Sequence, residues 1–268
     1  MTADWSLVYT MRYGCCVSSV EQIDIVAEAG FDFCELPARI VQPFDDEPAA
    51  LPALRAIAGA PLRPEAFNVL VPPQLPLVGP QADLDAVRAY LQRAFARMAQ
   101  LGAAVVVLGS GAARRIPDDL PRERALAQLA AALALAGAEA QRAGLELALE
   151  PLNRTECNVF LTLGECQAFM AERGLSGVRL LADLYHIEME HEPLAHVVAA
   201  GPSLAHVHVA DSDRRAPGTG QYDYDGFMAA LQKVGYNRRI SAECKWDDLR
   251  AQAPQALQFM RAHAPTAQ

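Results

Sequence analysis

Short apolar runs alternate along the chain with longer amphipathic stretches. Residues 31–36, 103–108, 145–150, 179–183 and 204–209 are short segments of five or six positions in which apolar residues predominate. Runs this short, without an alternating polar face, read as strands of a parallel sheet covered on both sides. Residues 5–9, 64–68 and 239–243 complete a set of eight predicted strands.

Helical patterns lie between them. Residues 18–29 open with Ser18 and Glu21 at the spacing of a capping box, 83–100 and 122–143 are long and rich in Ala and Leu, and 223–234 opens on Asp223. The last helix, capped by Asp247 or Asp248, runs toward His263. Gly30, Gly59, Gly102, Gly144, Gly174, Gly201 and Gly235 fall where a helical pattern gives way to a strand, 27 to 43 residues apart. A left-handed residue commonly ends a helix, and glycine adopts that conformation without steric cost.

Eight strands alternating with helices predict an α/β chain, a single-domain (β/α)₈ TIM barrel over residues 1–268. The competing architecture is an open doubly wound sheet. A nucleotide-binding sheet of that kind needs a glycine-rich fingerprint after its first strand, and the one glycine cluster after a strand, Gly109-Ser110-Gly111, fits neither common phosphate-binding pattern. It reads as an ordinary strand-to-helix turn. Residues 72–80 (PPQLPLVGP) are the most irregular stretch and would lie over the barrel mouth, as a lid or as a plain surface loop.

Composition narrows the function. The chain is 52% hydrophobic and 21% charged, so it can bury a large core. Its longest apolar run, residues 129–138, is too short to cross a bilayer, and the first fourteen residues lack the features of a secretory signal, so a cytoplasmic location is expected. A net charge of −9 with no Lys/Arg stripe argues against a nucleic-acid partner. Cys15, Cys16, Cys34, Cys157, Cys166 and Cys244 contain no CxxC pair and are expected as reduced thiols.

Four consecutive predicted strands end on or near a potential ligand: Glu150, Asp183, His208 and Glu243, separated by 33, 25 and 35 residues. Each interval is about one βα unit, and the C-terminal ends of neighbouring barrel strands converge on the axis. Taken singly, each residue has an ordinary explanation as a turn former, a paired carboxylate or a hydrogen-bonded core histidine. Together, three carboxylates without a cation would repel one another, and a divalent metal removes the conflict. The oxygen-rich donor set suits Mn²⁺ or Mg²⁺ and also admits Co²⁺ or Zn²⁺; the absence of cysteine from it disfavours a structural zinc site. Asn153, Arg154, Glu156, His186, Arg214 and Arg215 follow these strand ends, where barrel enzymes keep their chemistry.

The segments EPLNRTE, DLYH, HVHVADSDRRAPGTGQYD and ISAECKW resemble the xylose-isomerase-like sugar isomerase/epimerase superfamily, in its branch of hydroxypyruvate isomerase and the D-tagatose or D-psicose 3-epimerases. The resemblance is specific over residues 145–246; earlier, only GFDFCELP, EAFNVL and LGSG are reminiscent. It implies that Glu150, Asp183, His208 and Glu243 hold one Mn²⁺-type metal, that Glu150 and Glu243 double as the acid/base pair, and that Glu156, His186 and Arg214 bind the substrate. The expected reaction is isomerisation or epimerisation of a sugar or small hydroxy-carbonyl compound, by proton transfer beside the carbonyl through a metal-stabilised enediolate. Such chemistry needs a small carbohydrate and neither nucleic acid nor membrane; the Ala/Leu-rich helices could also pair in a homo-oligomer.

Two same-fold alternatives are a keto-inositol dehydratase-like lyase and an apurinic-endonuclease-like repair enzyme. The latter draws on histidines from early strands, whereas all six histidines here lie at or after His186. Trp246, just past Glu243, is either a wall that limits substrate length or a core aromatic.

Overall fold

The computed structural model describes residues 11–264. Eight parallel strands close on themselves in sequence order: β1 (Arg12–Cys16), β2 (Phe33–Pro37), β3 (Pro64–Asn68), β4 (Val105–Leu108), β5 (Glu146–Leu149), β6 (Val178–Asp183), β7 (Leu204–Val209) and β8 (Arg239–Ala242). The register Cys15 against Ala242 seals β1 to β8.

The helices are α1 (Glu21–Glu28), α2 (Glu47–Ala58), α3 (Leu84–Leu101), α4 (Gly111–Arg114), α5 (Arg122–Arg142), α6 (Leu163–Arg173), α7 (Leu184–Met189), α8 (Ala195–Ala200), α9 (Tyr224–Lys233) and α10 (Leu249–Ala262). Asp83, Asp223 and Asp248 cap α3, α9 and α10 by accepting backbone N–H bonds in the first turn.

Three expectations change. The segment 5–9 lies outside the described residues, and the strand that pairs with both β2 and β8 is Arg12–Cys16. Ser18 makes no capping box with Glu21: its N–H and hydroxyl both donate to Gln22 Oε1, and α1 begins only at Glu21. Of the seven boundary glycines, Gly30, Gly102, Gly144, Gly174 and Gly235 are left-handed, whereas Gly59 and Gly201 are right-handed.

The main core lies between the barrel wall and its helices. A separate cluster that includes Phe33, Ala66, Val105, Val107, Ala148 and Leu181 fills the barrel interior. Phe33 fits because β1 carries no side chain opposite it: a Cβ on Gly14 would stand 2.2 Å from its ring. Above this apolar layer, toward the C-terminal ends of the strands, the interior turns polar with Glu35, His206 and Ser241, all fully buried. All six cysteines are free thiols. Among the described residues, no helix is long and apolar enough to cross a membrane. Residues 72–80 form an ordered surface segment, with Leu75, Leu77 and Val78 buried and Leu77 N–H bonded to Ala113 O at 2.8 Å.

Candidate functional site

Consecutive strands deliver the four expected ligands to one point. Glu150 follows β5, Asp183 ends β6, His208 lies in β7 and Glu243 follows β8. One donor atom from each lies within 4.8 Å of those of the others. His208 Nδ1 stands 3.3 Å from Glu150 Oε1 and 3.4 Å from Glu243 Oε2.

Glu150 reaches this point because Gly109, in the turn after β4, leaves it room. A Cβ there would stand 2.1 Å from Glu150 Oε2. Gly109-Ser110-Gly111 is a strand-to-helix turn, as its sequence suggests, with Ser110 Oγ accepting a bond from Val71 N–H at 2.9 Å. Its distinctive contribution is space for a carboxylate.

Asp183 is divided in its duties. Oδ1 caps α7 by accepting from Tyr185 N–H at 2.8 Å, while Oδ2 is buried without a hydrogen-bond partner. His186 is also buried: its Nδ1 accepts from Asn153 N–H at 3.1 Å, which leaves Nε2 to carry the proton. That Nε2 has no hydrogen-bond partner and lies 3.7 Å from Asp183 Oδ2. Buried polar atoms are rarely left unsatisfied, so an unpaired acceptor beside an unpaired donor marks a place for a bound group.

Arg214 joins the two sides of the mouth. It bonds Glu156 at 2.9 Å and Glu243 at 2.6 Å, with its guanidinium over the Tyr185 ring. Its backbone is left-handed, as is that of Asp213, in a loop braced by Asp211, which accepts from Ser212, Gly218 and Tyr222 N–H groups. Arg154 and Arg215 stay outside the cluster: Arg154 pairs with Glu190 and Arg215 bonds Ser212 O. Trp246 is half-buried and lines a cavity of about 350 Å³ together with Glu243.

Charge balance in the cluster is uneven. Burial, reinforced by the charge of Glu243, raises the Asp183 pKa to about 6. Burial also raises that of Glu150. Burial opposes ionisation of Glu243 too, but His208 and Arg214 outweigh it and bring its pKa down to about 2. The residues fit a hard divalent cation on three observations: an oxygen-rich donor set, the unpartnered Asp183 Oδ2, and carboxylates whose mutual repulsion a cation would relieve.

The strands before β5 contribute two further residues that touch the cluster, Glu35 and Asn68. Glu35 of β2 is completely buried and touches His208 Nε2 at 2.9 Å, His206 Nε2 at 2.7 Å and Ser241 Oγ at 2.7 Å. Burial opposes its charge, yet His208 and His206 hold its pKa well below the usual carboxylate range. Asn68, at the end of β3, donates to Glu243 Oε1 at 3.3 Å. The one signal for Glu35 is a carboxylate in the middle of the otherwise apolar strand FCELP; Asn68 carries none beyond its place at a strand end.

Comparison with known proteins agrees with the barrel. L-ribulose 3-epimerase of Methylomonas sp. (strain DH-1) is 35% identical over 130 residues, 48% of this chain and 45% of that protein. The 3-dehydro-D-guloside 4-epimerase of Escherichia coli (strain K12) is 34% identical over 111 residues, 39% of this chain and 42% of that protein. The chain thus matches less than half the length of these curated relatives. The crystal structure of D-allulose 3-epimerase from Methylomonas sp. in complex with D-allulose superposes with a TM-score of 0.79 at 24% identity, covering 95% of this chain and 98% of that one, which shows a shared fold. The family model for the xylose isomerase-like TIM barrel matches residues 23–263, nearly the whole described barrel, and the chain belongs to that family.

Proposed function

We propose that this protein is a divalent-metal-dependent epimerase or isomerase of a ketose or short hydroxy-carbonyl compound. The observation that carries the reading is the convergence of Glu150, Asp183, His208 and Glu243 beside two unpartnered polar atoms at the open end of the barrel. Sequence relatives named as sugar 3- and 4-epimerases support the substrate class.

Glu150, Asp183, His208 through Nδ1, and Glu243 would hold the cation, Mn²⁺ by preference for this donor set, with Mg²⁺, Co²⁺ or Zn²⁺ also compatible. When bound, the metal would polarise the substrate carbonyl and stabilise the negative charge of the enediolate. Glu243, kept ionised by Arg214, takes the proton from the carbon beside the carbonyl. Glu150, whose neutral form burial favours, serves as the second proton carrier. Removal by one carboxylate and return by the other inverts the carbon; return to the neighbouring carbon exchanges ketose and aldose.

His186 Nε2–H and Arg214 supply donors for substrate oxygens, and Glu156 supplies an acceptor while holding Arg214 in place. Product analysis by NMR tests the reading. Metal-loaded protein incubated with D-fructose, D-tagatose and hydroxypyruvate is expected to yield an epimer or isomer of at least one, and Glu243→Gln none. Absence of any such product from the whole panel would contradict it.

A further inference from the structure

The cavity that contains Glu243 does not end the accessible space at the barrel mouth. Two of its lining residues, Arg39 and Val69, also line a second cavity of about 440 Å³ that contains none of the proposed metal ligands. Its floor is aromatic: Phe44 packs against Tyr90 with ring centroids 4.9 Å apart. Phe44 and Val69 are more than half exposed, unlike almost every other large apolar residue described. Gln42, Gln74 and Arg39 bring planar polar groups to the same walls.

Exposure of this kind in a slack loop would mean little, but this loop is fastened from beneath. Arg93 of α3 bonds Pro43 O at 2.7 Å, and the buried Arg97 bonds the carbonyls of Val41 and Asp45, each at 3.0 Å. Arg97 also bonds Gln42 O and pairs with Glu47 at 3.1 Å. From the same helix, Tyr90 donates its hydroxyl to Leu70 O at 2.8 Å, which fixes the chain beside Val69. Tyr90, Arg93 and Arg97 stand three and seven positions apart, on one helical face. One face of α3 thus holds both walls of the outer cavity and keeps an apolar ring turned to solvent. An ordered, polar-rimmed apolar surface is the mark of a ligand site.

From this arrangement we infer that the outer cavity is a subsite for a second sugar ring, carried by the substrate on the end remote from its carbonyl. A pyranose presents C–H groups to an aromatic face and hydroxyls to flanking amides and guanidinium, which is the chemistry that Phe44, Gln42, Gln74 and Arg39 offer together. This inference rests on the proposed proton-transfer function.

The test compares D-fructose with isomaltulose, in which a glucose ring is attached to O6 of fructose, by deuterium incorporation beside the carbonyl in the metal-loaded protein. Isomaltulose is expected to show a KM about tenfold lower than fructose. Phe44→Ala should remove that advantage while leaving fructose kinetics unchanged, and Phe44→Trp should retain it. Phe44 is exposed, so its replacement should leave folding intact, which a thermal melt checks. Exchange of fructose with no advantage for isomaltulose, or an advantage that Phe44→Ala leaves untouched, would overturn the subsite but keep the reaction. Exchange of neither sugar, nor of any ketose tried, would overturn both.

Discussion

Glu35 Oε1 lies 2.9 Å from Nε2 of His208, in a part of the barrel interior closed to solvent. The contact commits Nε2–H to the carboxylate, so that in the metal-loaded protein the Nδ1 lone pair would be the one offered to the cation between Glu150 and Glu243. A carboxylate behind a ligating imidazole fixes its tautomer and raises its basicity. Glu35→Gln should therefore weaken metal binding by about 10–100-fold, the range typical of such supports. Calorimetric titration of metal into the apo protein reads this directly, and an unchanged affinity would count against His208 Nδ1 as a ligand.

Gly109 offers a more selective probe. A methyl group there would meet Glu150 Oε2 at 2.1 Å, while β4 and its turn remain otherwise undisturbed. Gly109→Ala is expected to displace the Glu150 carboxylate and lose both metal affinity and turnover, with a circular dichroism spectrum like that of the parent. Retained activity would show that Glu150 can work from another position.

Arg214 touches both Glu156 and Glu243. In Arg214→Met, Glu243 loses its short charge-assisted bond and the substrate loses a donor. The expected result is a fall in kcat of about 10²-fold, with a rise in KM that Glu156→Gln shares in part. A change in KM alone would reassign Arg214 to binding without influence on proton transfer.

The interior packing makes a stability prediction independent of the chemistry. Gly14→Ala drives a methyl into the Phe33 ring within the buried interior layer. Overpacking of this sort costs about 1–3 kcal/mol, which a thermal melt detects as a lower Tm. Pairing the change with Phe33→Leu should recover part of the loss.

The second half of the barrel was more legible than the first for a physical reason. Glu150, Asp183, His208 and Glu243 announce themselves because each is a residue type able to bind metal, on or near the end of a predicted strand, repeated at βα intervals. Glu35 and Asn68 act through those residues from other strands, and nothing in the linear order pairs position 35 with 208 or 68 with 243. β1 is hard to read for a related cause: RYGCC lacks a long apolar run because Gly14 yields its space to Phe33, while the more apolar residues 5–9 lie outside the described residues. The Ser18–Glu21 box failed because Gln22, one position on, reached Ser18 instead.

Proton exchange from D₂O into a ketose is the most direct measure of the central assignment. Protein stripped of metal by chelation should exchange no proton beside the carbonyl, addition of Mn²⁺ or Co²⁺ should restore exchange, and Glu243→Gln should abolish it in the reloaded protein. Full exchange by the stripped protein, or by Glu243→Gln, would contradict a site in which three carboxylates and one imidazole hold the cation and move the proton.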